Sequence, residues 1–271
     1  ITCRDWSSDV CSSDLVEFLN QCQRSGQRIW QVLPIGPTIT NDSPFYSPSA
    51  FAISPNYIDL YDFLENKDRK LLSQSELDQY YEKFSYENPN KIAYNLLWEQ
   101  KMPLLRTIFA RFVEKGGLEN KNFKKFIDDQ KCWIENYASF MGIKEIFLNR
   151  SDKETWIQWD EEFKKKEIFD KNMEQFKKIA ETNKNVTDLK NWKTGDWNEE
   201  KVSTYNKIAQ NANFHKFLQW VAMEQWNNLK QIATSKNILL VGDCPIYVSP
   251  DSADVWANRN VFKLDENGNQ T

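Results

Sequence analysis

The sequence contains little histidine, cysteine or glycine. One histidine, His215, and five cysteines occur among 271 residues, and no two cysteines have the C-x-x-C spacing. Cys/His zinc sites bring several such ligands together, so the sequence predicts no metal site. Cys22, Cys132 and Cys244 are widely spaced and are expected to be reduced thiols of a cytoplasmic protein.

An excess of basic charge and long apolar runs are also missing. Lys and Arg total 35 against 39 Asp and Glu, which gives a net charge of −4 and a pI near 5.3. This balance argues against nucleic acid or an anionic membrane as the main partner. No run approaches the roughly 20 apolar residues that span a bilayer. The first residues do not follow the pattern of a secretory signal, so we expect a cytoplasmic location.

The N-terminal segment has an unusual composition. Residues 4–15 read RDWSSDVCSSDL, a polar stretch with neither helical nor strand periodicity. The same string is one reading frame of a DNA sequence that resembles a common short-read sequencing adaptor. We therefore expect residues 1–15 to be an artefact and exclude them from the fold. The alternative is a natural disordered tail.

Apolar spacing predicts a mainly helical centre between two short strands. A helix is expected to end after residues 16–23 at Gly26, and a strand to follow at residues 29–33. Between residues 62 and 208 the chain is highly charged, with apolar residues at helical spacing. The individual helices are predicted at residues 73–84, 91–113, 125–147 and, most clearly, 211–234.

The second strand carries the first candidate site residue. Ile238 to Val241 form a continuous apolar run, ILLV, that stops at Gly242-Asp243. Such a run is typical of a parallel strand covered on both faces, connected to the first strand by a right-handed crossover. The carboxyl ends of barrel strands hold functional groups, so Asp243 is predicted to face a site. The alternative is a carboxylate that caps nearby N–H groups.

Three segments resemble one known family. They are WQVLPIGPT at 30–38, DSPFYSPSAFA at 42–52 and the stretch 238–266, which contains the string GDCPIYVSPDSADVWAN, with a weaker FHKFLQW at 214–220. Together they resemble the amylomaltases, bacterial 4-α-glucanotransferases of glycoside hydrolase family 77. The similarity covers roughly residues 16–271 and is loosest between 150 and 205.

The resemblance implies an α/β chain that forms part of a (β/α)8 TIM barrel. It places about strands two and three of the barrel in this sequence. Residues 16–62 would form the first barrel part and residues 63–208 a large, mainly helical insertion. Residues 209–271 would form the second barrel part and the start of the next insertion.

The implied activity is transfer of α-1,4-glucan segments between maltodextrins by a retaining double displacement. Such a reaction needs two carboxylates and no cofactor. In the family, the reactive acids lie in an R-x-D-H-F-R-G string, an A-E-D-L-G string and a distant H-D pair. None of these occurs here. We therefore expect a fragment with no catalytic residue, inactive alone, whose partners are α-1,4-glucans and neither nucleic acid nor membrane.

The resemblance also implies substrate-binding residues. Asp243 aligns with the aspartate of the family's G-D-x-P-I string, which supports the donor-side sugar. Phe45 aligns with a tyrosine of its S-P-Y-x-S motif, and the neighbouring Tyr46 supplies the hydroxyl that Phe45 lacks. Ser43 and Trp256 complete the predicted set. A non-catalytic maltooligosaccharide-binding protein using the same residues is the alternative function, and a helical domain without a ligand is a third.

Overall fold

The computed structural model describes residues 12–38, 43–65, 69–82, 94–148 and 150–271. These form two compact units. Unit 1 lies within residues 1–47, 51–130 and 217–246, and unit 2 within residues 48–50, 131–216 and 247–271. Of the expected adaptor-like segment 1–15, residues 1–11 lie outside the described residues. Residues 12–15 form the first turn of a helix, and Leu15 packs against the core of unit 1, so excluding these four residues from the fold is wrong. The barrel and insertion boundaries at residues 62 and 208 remain predictions.

Helices make up most of both units. The helices are α1 (Ser12–Arg24), α2 (Asp62–Glu65), α3 (Gln74–Glu82), α4 (Tyr94–Glu114), α5 (Lys121–Asp129), α6 (Ile134–Ile146), α7 (Glu161–Lys164), α8 (Lys166–Thr182), α9 (Glu199–Ser235) and α10 (Ala253–Ala257), and the strands are β1 (Ile29–Gln31) and β2 (Leu239–Val241). Within the described residues, no helix combines the length and hydropathy needed to cross a membrane.

The two strands of unit 1 pair in parallel, which confirms the predicted parallel pairing, whereas the right-handed crossover stays a prediction. Ile29 lies opposite Leu239, and Gln31 lies opposite Val241. A short turn connects the end of α9 at Ser235 to the start of β2 at Leu239, and in this turn Asn237 adopts a positive φ of 56°. The Ile238 N–H then donates to the Ala233 carbonyl at 2.9 Å. Asparagine tolerates this left-handed conformation, which ends helices in the same way as glycine does.

One face of the strand pair is partly buried against helices and the other is open, so the expectation of cover on both faces is wrong for the described chain. Trp30 and Leu240 pack against a cluster that includes Leu19 of α1 and Leu229 of α9. On the opposite face, Leu239 is 68% exposed. Alternate strand residues point to opposite faces, so the described helices cover only the first of these faces.

Two helix predictions need correction. The helix expected over residues 125–147 is two helices, α5 and α6, because the backbone leaves helical geometry at residues 130–133. Trp133 is buried there and packs on Tyr137 with ring centroids 5.9 Å apart. The helix expected over residues 211–234 is the C-terminal two thirds of the 37-residue α9.

Aromatic side chains fill the interior of each unit. In unit 1, the Phe217 ring of α9 lies 4.8 Å from Phe112 and 6.2 Å from Phe63, measured between centroids. In unit 2, Trp156 and Trp159 are buried, which confirms that these two residues anchor the charged segment after residue 150. Large buried rings contribute strongly to stability through the apolar area that they remove from water.

Candidate functional site

Three of the predicted site residues lie in one β-turn of unit 1. The Tyr46 N–H donates to the Ser43 carbonyl at 3.0 Å, which closes a four-residue turn. Pro44 occupies the second position, where its fixed φ favours this geometry. Phe45 occupies the third position and is 45% exposed. The turn therefore brings Ser43, Phe45 and Tyr46 together and leaves part of the Phe45 ring open to solvent.

The segment that carries this turn is closed at its base. The Ser54 N–H donates to the Ile35 carbonyl at 2.8 Å, so the two ends of the segment, Ile35 and Ser54, are hydrogen-bonded to each other. Gly36 lies next to that base, where an added Cβ would come within 2.8 Å of the buried Ser47 hydroxyl oxygen. Glycine allows this close approach, because a Cβ at Gly36 would displace the Ser47 hydroxyl.

Asp243 extends from the same sheet edge as this segment. It follows the carboxyl end of β2, whereas the turn segment follows the carboxyl end of β1, and the strands are parallel. The pairing continues one residue past β1, because the Val32 N–H donates to the Val241 carbonyl at 2.9 Å. The shared edge is the place where parallel α/β proteins bind ligands.

The Asp243 side chain is exposed to solvent. Within the described part of the chain it accepts no hydrogen bond and forms no ion pair. The alternative in which Asp243 caps nearby N–H groups therefore finds no support among the described residues. A solvated carboxylate at this edge can accept hydrogen bonds from hydroxyl groups of a ligand.

Trp256 has a different position from the one that the sequence led us to expect. Its side chain is fully buried in unit 2, and its indole N–H donates to the Phe163 carbonyl at 2.9 Å. Phe140 and Phe169 pack around it with centroids 6.0 and 5.8 Å away. A ring without exposed surface offers no face to a sugar. We therefore correct the prediction: Trp256 packs the interior of unit 2 and anchors α10.

Helix α10 binds the short segment 48–50. Ser252 begins the helix, with its hydroxyl oxygen accepting from the Val255 N–H at 3.2 Å. The Ala253 N–H donates to the Pro48 carbonyl at 2.8 Å. The Asp254 Oδ2 accepts from the Ala50 N–H, also at 2.8 Å. Burial raises the pKa of Asp254, and the hydrogen bond from Ala50 opposes that rise.

Asp251 has a structural role in the loop before α10. Its Oδ2 forms an ion pair with Lys144 of α6, and its Oδ1 accepts from the Trp156 N–H at 3.2 Å. The Trp156 indole in turn donates to the Pro250 carbonyl at 2.7 Å. A buried carboxylate is tolerated when it is paired and hydrogen-bonded in this way. These contacts fix residues 250–251 in unit 2.

Sequence reasoning missed two residues that hold the motif segments, Asp254 and Gln219. Asp254 could have been found from Ser252, because a serine before a short apolar run indicates a helix start with acidic residues in its first turn. Gln219 gives no such signal in the sequence. Among the described residues, no group of three or more His, Cys, Asp or Glu side chains is arranged to hold a metal ion.

Comparison with known proteins gives one consistent result. The family model of glycoside hydrolase family 77, described as 4-alpha-glucanotransferase, matches residues 4–186 and 171–269. The 4-alpha-glucanotransferase of Clostridium butyricum is 35% identical over 250 residues, which cover 92% of this chain and 42% of that protein. The enzyme of the same name from Streptococcus pneumoniae serotype 4 is 33% identical over 261 residues, covering 95% and 42%.

A solved structure shows the same relationship. The amylomaltase from Streptococcus agalactiae in complex with acarbose matches with a TM-score of 0.69 and 28% identity, covering 94% of this chain and 43% of that one. The parallel strand pair and the helices that connect its strands define a mainly helical α/β protein. The chain belongs to glycoside hydrolase family 77, the 4-alpha-glucanotransferases. It spans about two fifths of the length of the curated relatives that it matches.

Proposed function

We propose that this chain is the glucan-contacting part of a 4-α-glucanotransferase that transfers α-1,4-glucan segments between maltodextrins. Family membership supports the reaction class. The single observation that carries the substrate-binding part is the shared carboxyl edge of β1 and β2. The segment that carries the exposed Phe45 ring follows β1 at this edge, and Asp243, which is exposed and has no hydrogen bond or ion pair within the described residues, follows β2.

The proposed chemistry is a retaining double displacement. One carboxylate attacks the anomeric carbon, and a second protonates the departing glycosidic oxygen, with the two about 5–5.5 Å apart. The 4-hydroxyl of an acceptor glucan then displaces the enzyme. None of the family's three acid-bearing strings occurs in these 271 residues. We therefore propose that the nucleophile and the acid/base are supplied by protein outside them, and that this chain alone is inactive.

The chain's own residues bind and orient the glucan in this proposal. The Phe45 ring stacks on the apolar face of a glucose unit. The Tyr46 hydroxyl and Ser43 provide hydrogen-bonding groups beside it, and the Asp243 carboxylate accepts from sugar hydroxyls. Acarbose in the amylomaltase structure from Streptococcus agalactiae supports α-glucans as the ligand class. We propose neither nucleic acid nor a membrane as a partner, and no cofactor.

Calorimetric titration of the 271-residue chain with maltoheptaose tests the binding part. We expect Phe45→Ala and Asp243→Asn each to weaken binding by roughly tenfold, the effect of losing about 1.4 kcal/mol. Phe51→Ala, which removes another exposed ring, and Asp196→Asn, which neutralises an exposed carboxylate in unit 2, are the matched controls. Equal effects in a variant and its control would refute the assigned site.

Catalysis is tested separately from binding. The chain is incubated with maltotriose, and released glucose and longer maltodextrins are measured. We expect binding without transfer from these 271 residues. Sequencing the gene past Thr271 distinguishes a transferase from a maltooligosaccharide-binding protein. A continuation containing the R-x-D-H-F-R-G and A-E-D-L-G strings supports the transferase, and a stop codon directly after Thr271 supports the binding protein.

A further inference from the structure

Two glutamines of α9 form the same unusual contact. Gln219 accepts from the Ile53 N–H through Oε1 and donates to the Ile53 carbonyl through Nε2, both at 2.8 Å. Six residues later, Gln225 accepts from the Asp59 N–H at 2.8 Å and donates to the Asp59 carbonyl at 3.1 Å. Both contacts lie within unit 1. Each side-chain amide therefore pairs with one backbone residue as a neighbouring strand would.

These contacts satisfy backbone groups that have no water nearby. Gln219 is fully buried, Gln225 nearly so, and Ile53 and Asp59 are buried as well. A buried N–H or carbonyl without a partner is costly, so each glutamine stabilises one conformation of the segment that it contacts. An amide is the only uncharged side-chain group that both donates and accepts with this geometry.

The position of Ile53 gives Gln219 a role that Gln225 lacks. Ile53 immediately precedes Ser54, whose N–H closes the base of the segment that carries the Ser43–Tyr46 turn. Asp59 lies beyond that base, after the 3₁₀ turn Pro55–Tyr57. Gln219 thus holds one end of the turn-bearing segment, whereas Gln225 holds the chain outside it.

We infer that Gln219 is a positioning residue for sugar binding: it fixes the base of the segment from Ile35 to Ser54 and thereby the Phe45 ring and the Tyr46 hydroxyl. This inference rests on the proposed function for its sugar-binding part. Its mechanical part, that Gln219 holds the turn, stands independently. Gln225 provides a control with equal chemistry on the same helix.

The test compares Gln219→Met with Gln225→Met in the 271-residue chain. Methionine keeps the length of the side chain and removes both hydrogen bonds, so both variants should lose similar thermal stability. Only Gln219→Met should speed amide hydrogen exchange in residues 43–47, by roughly tenfold. It should also weaken maltoheptaose binding by roughly five- to tenfold, against less than about twofold for Gln225→Met. Equal changes in the two variants would overturn the inference.

If Gln219→Met does not fold, a measurement on the unmodified chain tests the positioning role of Gln219. Native-state exchange in rising urea gives an opening free energy for each protected amide. The amides of Ile53 and Tyr46, whose N–H groups are both hydrogen-bonded, should open together and share one denaturant dependence. Independent opening of these two amides would refute the role of Gln219.

Failure of the proposed function has a different signature. If the unmodified chain binds no maltoheptaose while exchange in residues 43–47 still responds to Gln219→Met, the segment is held as inferred and the sugar assignment is wrong. If the chain binds maltoheptaose and neither exchange nor affinity responds, the sugar assignment stands and Gln219 has no positioning role.

Discussion

The backbone N–H of Ala50 and the Oδ2 of Asp254 are joined by a hydrogen bond of 2.8 Å between residues 204 positions apart. The pair links two segments that carry the family resemblance, DSPFYSPSAFA and GDCPIYVSPDSADVWAN. Asp254 lies in the first turn of α10, which Trp256 anchors inside unit 2. Two of the segments that resemble the family in sequence are therefore joined directly by a hydrogen bond.

Two substitutions of Asp254 distinguish the stability contributed by its hydrogen bond from the effect of its charge. Asp254→Ala removes the acceptor for Ala50 and should lower the free energy of unfolding by about 1 kcal/mol. Asp254→Asn keeps an acceptor oxygen and removes a charge whose burial raises the pKa. A carboxyl with a raised pKa reduces stability as pH increases above its unfolded value, so Asp254→Asn should match or exceed the unmodified chain at pH 7.

Urea unfolding at pH 4 and pH 7 provides the measurement. The advantage of Asp254→Asn over the unmodified chain should be larger at pH 7 than at pH 4, because the carboxyl becomes protonated as pH falls. Asp254→Ala should be less stable than Asp254→Asn at both pH values. A stability of Asp254→Asn as low as that of Asp254→Ala would contradict the assigned acceptor role.

Glu76 and Arg111 predict an acid-sensitive contact in unit 1. Two hydrogen bonds join them, with Nη1 to Oε2 at 3.0 Å and Nη2 to Oε1 at 2.5 Å. The Arg111 guanidinium, assisted by the Ser73 hydroxyl, lowers the pKa of Glu76 from 4.5 to about 2. A lowered carboxyl pKa stabilises the fold above pH 4.5, and this contribution disappears as pH falls towards 2.

Glu76→Gln tests this contact. The variant should be less stable at pH 7 by about 1–2 kcal/mol. This loss is smaller than the full pKa shift would give, because both side chains are partly exposed and solvent screens their interaction. The difference should shrink below pH 4.5 and vanish near pH 2, as followed by chemical unfolding across this range. Glu174→Gln, which breaks an exposed pair with Lys178, is the control and should change stability little at any pH. A pH-independent loss in Glu76→Gln would contradict the electrostatic explanation.

The sequence predicted local order better than long-range contacts. The apolar run ILLV before Gly242-Asp243 correctly indicated a parallel strand, because helices connect it to the preceding strand β1. The turn at Ser43–Tyr46 follows from a proline at its second position. The helix break at residues 130–133 could not be seen, because the buried Trp133 maintains the apolar spacing while the backbone leaves the helix.

The partners of buried polar groups were beyond sequence reasoning. Gln219 lies on α9 among apolar residues, and nothing local indicates that its amide pairs with Ile53, 166 positions away. Trp256 was expected at the substrate side because it lies in the GDCPIYVSPDSADVWAN string that resembles the family, although a tryptophan can either stack on sugars or fill a core. The choice depends on whether other rings surround it, and in unit 2 Phe140 and Phe169 do so.

The corrected role of Trp256 gives a prediction of its own. Trp256→Phe removes the hydrogen bond to the Phe163 carbonyl and leaves a small cavity, so stability should fall by about 2–3 kcal/mol. Maltoheptaose affinity, measured at a temperature where the variant is fully folded, should stay within about twofold of the unmodified chain. Phe45→Ala should give the opposite result, with weaker binding and little loss of stability. A tenfold loss of affinity in folded Trp256→Phe would restore Trp256 to the site.

Gly268 combines a positive φ, which would strain any other residue, with a close contact, and Gly195 provides the matched control within unit 2. Gly268 has a φ of 94°, and an added Cβ would lie 2.5 Å from the buried Trp156 ring, whereas Gly195 has a φ of 58° and open space around it. Alanine in the left-handed region costs about 1 kcal/mol, which both substitutions should show. Overpacking against a buried ring costs a further 1–3 kcal/mol or so, which only Gly268→Ala should show. Thermal unfolding of both variants measures the difference, and equal destabilisation would mean that the Trp156 ring moves aside freely.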